Sequence, residues 1–293
     1  MPRAPASHAP QAPQLPALGA GVGLRSDYFD EILDRQPPVR WFEVIPENFL
    51  HRGGRLRRVL SQLAERYRLV AHGVGLSIGS TDPLDLDHVR ALRAFCDDIQ
   101  SPWFSDHLCF TVVDHVNLNE LMPLPFTRET VKHLTPRIHK VQEELARPFL
   151  LENVTYYAAP ARDEMTEAQF ISEIIEATGC GLLLDVANVV LNARNHAGYS
   201  PTDFFDAIPM HRVGQMHLAG HEPYMGVMLD THAAPVSDET WEAFRQAVLR
   251  TGPTSVLIER DAQLPTLDAL VEEAEHAQRI MEEAMGSAPT PSN

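Results

Sequence analysis

Six short apolar runs in this chain end on a residue able to bind a metal ion through nitrogen or oxygen. They are LVAH at His72, WFSDH at His107, FLLE at Glu152, LLLD at Asp185, VGQMH at His217 and SVLIE at Glu259. Beyond the VGQMH run, Asp230 and His232 stand two residues apart. In extended chain that spacing puts both side chains on one side. Asn188 follows Asp185 by three residues, so one helical turn would return its amide to the same place. Singly, each residue has a plain role, since a strand-end Asp or Glu often caps the helix that follows. Together, four histidines, two aspartates and two glutamates suffice for two or three metals sharing a carboxylate. Imidazole and carboxylate without thiolate suit Fe, Mn or Zn better than Cu(I) or an iron–sulfur cluster. Buried side by side with no cation, such groups would repel or go unpaired.

The elements that must position them alternate. Strands are expected at Ala20–Leu24, Trp41–Val44, Leu69–His72, Trp103–His107, Phe149–Glu152, Leu182–Asp185, Val213–His217 and Ser255–Glu259. Helices are expected at Asp27–Asp34, Leu56–Tyr67, Leu84–Ile99, Thr127–Leu145, Pro201–Ala207, Val236–Arg250 and Leu267–Ala284. Pro136 should kink or restart the fourth of these. A further helix opens at Thr166 with a capping-box sequence and stops at Gly179. Eight strand–helix units imply a parallel sheet covered on both faces and closed into a single (β/α)8 TIM barrel. In such a barrel the carboxyl ends of all strands surround one mouth. An open doubly wound sheet would usually carry a GxGxxG loop after its first strand, and GVGLRS lacks that pattern.

The length of 293 residues fits one such barrel, and 44% hydrophobic residues can fill its core. The barrel is assigned to residues 20–284, with Pro- and Ala-rich residues 1–19 and residues 285–293 as disordered tails. A net charge of −16 repels phosphate backbones, which argues against nucleic acid. No apolar run approaches the roughly 18 residues of a membrane span, so no membrane partner is expected. Cys96, Cys109 and Cys180 have no CxxC spacing and read as free thiols in a reducing cytoplasm. Glu43 and Asn48 are expected at the mouth, with Asp106 and Asn153 orienting the neighbouring ligands. His196 and His221 fall in mouth-side loops within reach of substrate. His51, His88, His133, His139, His211 and His276 read as surface or core-edge residues.

GVGLRSDYF, FEVIPENF, HGVGLSIGS, FSDHLCF, LMPLPFT, LLENVTYY, LLLDVANV and MHLAGH, in that order, resemble the DUF692 (UPF0276) family over about residues 20–280. The resemblance implies a xylose isomerase-like barrel and a multinuclear non-haem iron enzyme of the MbnB/TglH type. Such an enzyme uses O₂ to modify cysteines of a ribosomally made precursor peptide, as in oxazolone–thioamide formation or cysteine β-carbon chemistry. By the same resemblance, one metal takes His72, His107 and the bridging Glu152, and a second takes Glu152, Asp185, His217 and Glu259. A third takes Asp230, His232 and Asn188. Two or three irons of mixed Fe(II)/Fe(III) state are implied, with Glu152, Asp185 and His217 at the catalytic centre. The related nuclease arrangement has a histidine where this chain has Asn188, which weakens the third position and a nuclease reading. The competing readings are a metal-dependent sugar isomerase or an endonuclease IV-like phosphodiesterase on the same barrel, and a non-enzymatic metal-storing or peptide-binding protein. A closed barrel has no free sheet edge to grip a long peptide. A small partner protein forming a heterodimer is therefore expected, as the resemblance also implies.

Overall fold

The computed structural model describes residues 15–50, 52–158 and 163–286. His51 and most of both proposed tails lie outside them. Eight parallel strands form the barrel: β1 (Ala20–Gly23), β2 (Trp41–Val44), β3 (Arg68–His72), β4 (Phe104–His107), β5 (Phe149–Glu152), β6 (Gly181–Asp185), β7 (Val213–Ala219) and β8 (Ser255–Glu259). They close in the order β1-β8-β7-β6-β5-β4-β3-β2, so strands adjacent in the barrel are adjacent in sequence. This is the single TIM barrel expected from the strand–helix alternation. Around it lie α1 (Phe29–Arg35), α2 (Arg55–Ala64), α3 (Leu86–Asp98), α4 (Arg128–Leu145), α5 (Glu167–Thr178), α6 (Val186–Asn195), α7 (Pro201–Ala207), α8 (Asp238–Thr251) and α9 (Leu267–Gly286).

The period of two along each strand divides the core. Trp41, Val70, Trp103, Leu150, Leu183 and Leu257 form an inner cluster at the barrel floor. Their neighbours Phe42, Leu69, Phe104, Leu151, Leu184 and Ile258 belong instead to the cluster packed under the helices. Two residues beyond the floor positions Trp41, Val70, Leu150, Leu183 and Leu257 come Glu43, His72, Glu152, Asp185 and Glu259. Each of these five strands thus carries an apolar residue low in the barrel and a polar one above it on the same face.

Leu15 and Leu18, assigned to a tail by the sequence reading, pack against the floor cluster. Ser255 Oγ accepts from the Leu18 N–H (3.0 Å) and donates to the Pro16 carbonyl (3.3 Å), and Trp41 Nε1–H donates to the Gly19 carbonyl (3.0 Å). Between β6 and β7 the register shifts by one residue, Leu182 facing Val213 and Leu183 facing Gln215, so Gly214 is the extra residue of a bulge. A Cβ there would lie 2.4 Å from Leu15 Cδ1.

The structure corrects the sequence reading at several places. β7 runs to Ala219, so His217 lies inside the strand rather than at its end. Helix α6 went unread because no loop precedes it: Asp185 ends β6 and also caps α6, its Oδ1 accepting the Asn188 N–H at 2.7 Å. Helix α4 passes through Pro136 as one helix. Two antiparallel hairpins, also unread, rise from the loops. The first pairs Phe110–Val113 with Val116–Met122, the second Glu222–Tyr224 with Val227–Leu229. The first turns at Asp114 and His115, both with positive φ. Hairpins outside the barrel have edges, so the expectation that this chain offers no free strand edge does not hold.

Asn192 on α6 clamps the segment after β5. Its Nδ2 donates to the Val154 carbonyl and its Oδ1 accepts the Tyr156 N–H, both at 3.1 Å. Below it Glu167 is buried, and burial pushes its carboxyl up to about 8 against the opposing hydrogen bonds of Tyr199, Asn192 and Tyr156. A carboxyl held more tightly protonated in the folded than in the unfolded chain favours folding most at low pH. That advantage is lost as pH rises from the ordinary carboxyl value towards about 8. In metal-free protein, Glu167→Gln should therefore flatten the decline in stability between about pH 5 and about pH 9, by a few kcal/mol. Urea unfolding of both proteins across that range measures the difference, and parallel curves would refute it.

Candidate metal centre

Glu152 sits at the middle of the mouth with histidines on both sides. Its Oε2 lies 3.3 Å from His72 Nε2 and 3.4 Å from His107 Nε2, while its Oε1 lies 3.3 Å from His217 Nδ1. His217 Nδ1 is also 3.1 Å from Glu259 Oε2. Ligand atoms of His72, His107 and Glu152 lie within 4.8 Å of one another, as do those of Glu152, Asp185 and His217, and of Asp185, His232 and Glu259. Glu152 Oε2, Asp185 Oδ2 and His217 Nδ1 are buried without a hydrogen-bond partner. Orphaned lone pairs of imidazole and carboxylate, converging in a dry pocket, fit a metal cluster. The thiol of Cys109 does not belong to any of these groups, and burial raises it far above its ordinary range.

The other nitrogen of each of three histidines is engaged, which fixes the nitrogen left for a ligand. His72 Nδ1 is 2.9 Å from Ser105 Oγ, leaving Nε2 toward Glu152. His232 Nδ1 is 3.0 Å from Asp261 Oδ2, leaving Nε2 toward Asp230, and Arg25 pairs with the other oxygen of Asp261. His217 is turned the other way round. Its Nε2 lies 3.1 Å from Glu43 Oε2, so Nδ1 points into the cluster. Trp103 Nε1–H, which can only donate, bonds Gln215 Oε1 at 2.7 Å and so turns the amide nitrogen of Gln215 onto Glu43 Oε2 at 2.5 Å. Glu43, His72 and His217 also come within metal-binding distance of one another. The Gln215 amide stands in that space, 2.8 Å from His217 Nε2, and makes it a hydrogen-bonded brace rather than a further metal position.

Asp230 and His232 meet as the sequence suggested, Oδ1 and Nε2 being 2.7 Å apart. Asn188 reaches them only through Thr155. The Thr155 hydroxyl donates to Asn188 Oδ1 at 2.5 Å and lies 3.3 Å from Asp230 Oδ2. Asn153 holds the end of β6 by its side chain, Nδ2 donating to the Asp185 carbonyl and Oδ1 accepting the Asp185 N–H, both at 2.9 Å. Asp106 accepts the Leu76 N–H at 3.1 Å and fixes the loop after β3. Four expectations need correction. Glu43 lies buried beneath the ligands, not on the rim. Asn48 is exposed at the end of a 3-10 turn and does not line the cleft. His196 is not directed at substrate, its Nε2 bonding the Tyr156 carbonyl at 2.7 Å while its ring stacks on Tyr156. His221 lines neither the ligand groups nor the cleft. His88 lies half-buried at the core edge beside Glu47, whose Oε1 accepts the N–H groups of Val74 and Gly75. Gln215, Ser105, Thr155, Asp261 and Glu47 were missed. For Ser105 and Gln215 the signal was their spacing two residues before His107 and His217.

The electrostatics are those of a site built for cations. Burial opposes ionisation of Glu152, yet His217, His107 and His72 hold it down to about 2. Burial opposes charge on His107, but Glu152 and Asp106 push it up to about 9. Burial, reinforced by Glu152 and Asp230, raises the Asp185 carboxyl well above its usual range. Protons shared in this way stand where metal ions would put positive charge, and metal binding would release them.

A xylose isomerase-like TIM barrel with a buried histidine–carboxylate centre at its mouth is the class that fold and site define. Solved structures like it include a xylose isomerase domain protein from Planctomyces limnophilus (TM-score 0.61, 14% identity, 92% of this chain and 100% of that one). Endonuclease IV from Thermus thermophilus is also similar (TM-score 0.57, 14% identity, 93% and 100%). At that identity the likeness is one of fold alone. The chain belongs to the RiPP precursor modification enzyme MbnB/TglH/ChrH family, whose family model matches residues 19–282. It is 43% identical over 270 residues to a UPF0276 protein of Anaeromyxobacter sp. (strain Fw109-5), covering 92% of this chain and 95% of the relative. It is 42% identical over 263 residues to a UPF0276 protein of Caulobacter vibrioides, covering 89% and 94%. Family membership implies an enzyme that modifies a ribosomally made peptide.

Two outcomes follow for the centre. Glu152→Ala should lose metal from both sides of the carboxylate, so metal per chain after anaerobic loading falls by more than one equivalent. Loss of a single equivalent or none would exclude a bridge. Glu43→Ala and Gln215→Leu should each weaken metal affinity roughly 10- to 100-fold, the usual effect of removing a ligand's orienting partner. Chelator competition reads this, and unchanged affinity would show that the Trp103–Gln215–Glu43 chain does not orient His217.

Proposed function

We propose that this protein is a multinuclear iron- and O₂-dependent oxidase that modifies cysteine residues of a ribosomally made precursor peptide. The observation that carries the reading is Glu152, a carboxylate with one oxygen toward two histidines and the other toward a third. The residues assigned to the metals are His72, His107 and Glu152 for one, and Glu152, Asp185, His217 and Glu259 for the second. Asp230 and His232, with Asn188 behind Thr155, serve a third. Iron bound there would supply thiolate binding and reduction of O₂.

The chain's own residues do the rest. Ser105, Glu43 and Asp261 hold three imidazoles at fixed tilt, so their ligand nitrogens need no reorganisation. The floor beneath is apolar and keeps water from entering below. Above lies a cleft of about 490 Å³ lined by His72, His107, His232 and Glu259 together with Glu47 and Asp261, room for a few residues around one cysteine. A small partner protein that binds the remainder of the precursor and forms a heterodimer with this chain completes the reading. The isomerase and phosphodiesterase readings draw on the barrel alone, and the acidic surroundings of the mouth disfavour a phosphodiester.

The test is anaerobic loading with Fe(II), then exposure to O₂ with the precursor peptide encoded beside the gene, with and without the neighbouring gene product. At least two irons per chain, O₂ uptake only with peptide and a mass change at a cysteine are expected. Two bound irons with neither uptake nor mass change would overturn the oxidase, and equal binding and rate without the neighbour would overturn the partner.

A further inference from the structure

Ten large apolar side chains are exposed among the described residues, and eight of them stand at the mouth. Four are on the outer strand of the first hairpin: Val116, Leu118, Leu121 and Met122. Tyr157 follows β5, and three lie on the second hairpin, where Met225 is 88% exposed. Apolar residues scattered singly over a surface carry no meaning, whereas a group confined to one place marks an interaction site. The groups adjoin: the Asp230 N–H beyond the second hairpin donates to the Tyr157 hydroxyl at 3.0 Å, and Glu120 of the first hairpin acts on the Tyr157 phenol. Between them runs the cleft, with Asn117, Asn119, Glu120 and Leu121 on one wall and His232 and Asp261 on the other.

Two properties of this rim select its occupant. The first is charge. Glu47, Glu120, Glu259 and Asp261 line the cleft beside His72, His107 and His232, and neither lysine nor arginine does. Glu47 pairs with His88, Glu259 with His217 and Asp261 with His232, which leaves Glu120 on the outer strand to meet a cation. Arg25, beside the cleft, is already paired with Asp261. The second is an open strand edge. The inner strand of the first hairpin has its outer edge closed, since Ser77 Oγ accepts the Thr111 and Val112 N–H groups and Ser80 Oγ donates to the Val112 carbonyl. The outer strand is exposed throughout and bulges, Phe110 facing Met122 while Val112 faces Asn117. Residues 118–121 have only Thr111 opposite them, and although the Asn119 N–H bonds the Asn117 side chain at 2.8 Å, the rest of this stretch lies outside the regular ladder. Backbone groups so placed are answered by an extended chain more readily than by the flat face of a folded protein.

We propose that this rim binds an extended segment of the substrate peptide with apolar and basic residues on either side of the reacting cysteine. The segment lies along the Val116–Met122 edge and crosses above His72 and His107. The reacting cysteine rests on the oxidase reading; the binding does not. Its test therefore uses metal-free protein and fluorescein-labelled peptides with a central serine in place of cysteine, flanked by alternating leucine and lysine. Two control peptides replace lysine by glutamate or leucine by serine.

The leucine–lysine peptide should bind about tenfold or more tighter than either control, a difference of about 1.4 kcal/mol. Leu118→Ser with Met122→Ser, and separately Glu120→Lys, should each weaken it by about the same factor. Leu249→Ser and Glu242→Lys on α8 should leave it unchanged. Equal binding of all three peptides overturns the proposal, as does equal loss in the α8 variants, which would show general adhesion to an acidic protein. Absence of peptide binding, with the rim protected from hydrogen exchange only by the neighbouring gene product, also overturns it and assigns the rim to a folded partner. A failed oxidation with intact serine-peptide binding would overturn the chemistry and leave the rim standing.

Discussion

Burying charge is the constraint on which this structure depends. Glu43, Glu152, Asp185, His72 and His217 are withdrawn from water inside one barrel. Removing one partner from such a set leaves an uncompensated charge and typically costs about 3–5 kcal/mol. The fold meets that constraint by supplying each group with a specific neighbour and by leaving a few lone pairs pointed at a common space. The rest of the architecture can be read as support for that arrangement: a dry floor below, braces to the side and loops above.

The braces differ from strand to strand, and that difference has chemical content. His72 leans on the hydroxyl of the next strand, His217 on a carboxylate from β2, and His232 on an aspartate held by an arginine. A carboxylate behind an imidazole makes it a stronger donor than a hydroxyl does. The His217 and His232 side of the centre is therefore the more electron-rich one. The neutral amide of Asn188, engaged by Thr155, is the weakest candidate around it.

The barrel and most of the histidines and carboxylates that converge at its mouth were legible in the sequence because both rest on short-range pattern. Strands buried on both faces read as apolar runs, and a titratable residue ending such a run is conspicuous. What escaped reading depended on distance or on missing punctuation. Gln215 sits in the middle of an apolar run and acquires meaning only when Trp103 and Glu43 are brought to it from strands far away in sequence. Helix α6 begins on the last residue of a strand with no turn residue between them. The hairpins fall in stretches that read simply as loops, and Glu43 was set on the rim because nothing in WFEV tells how deep its strand lies.

The bulge at Gly214 acts as a reading-frame device. Side chains on a strand alternate in direction, so one residue more or less inverts everything downstream. With the extra residue, Gln215 and His217 face inward beside Leu183 and Asp185. Were the strand to pair residue for residue with Gly214 opposite Leu183, Met216 would face inward beside Asp185 and His217 would be delivered to the helical shell. Deleting Gly214 itself would keep Gln215 opposite Leu183 and His217 opposite Asp185, whereas deleting Met216 would set Leu218 opposite Asp185 and turn the centre inside out. Leu15, seated where a side chain at position 214 would stand, is part of what makes glycine the residue in that slot.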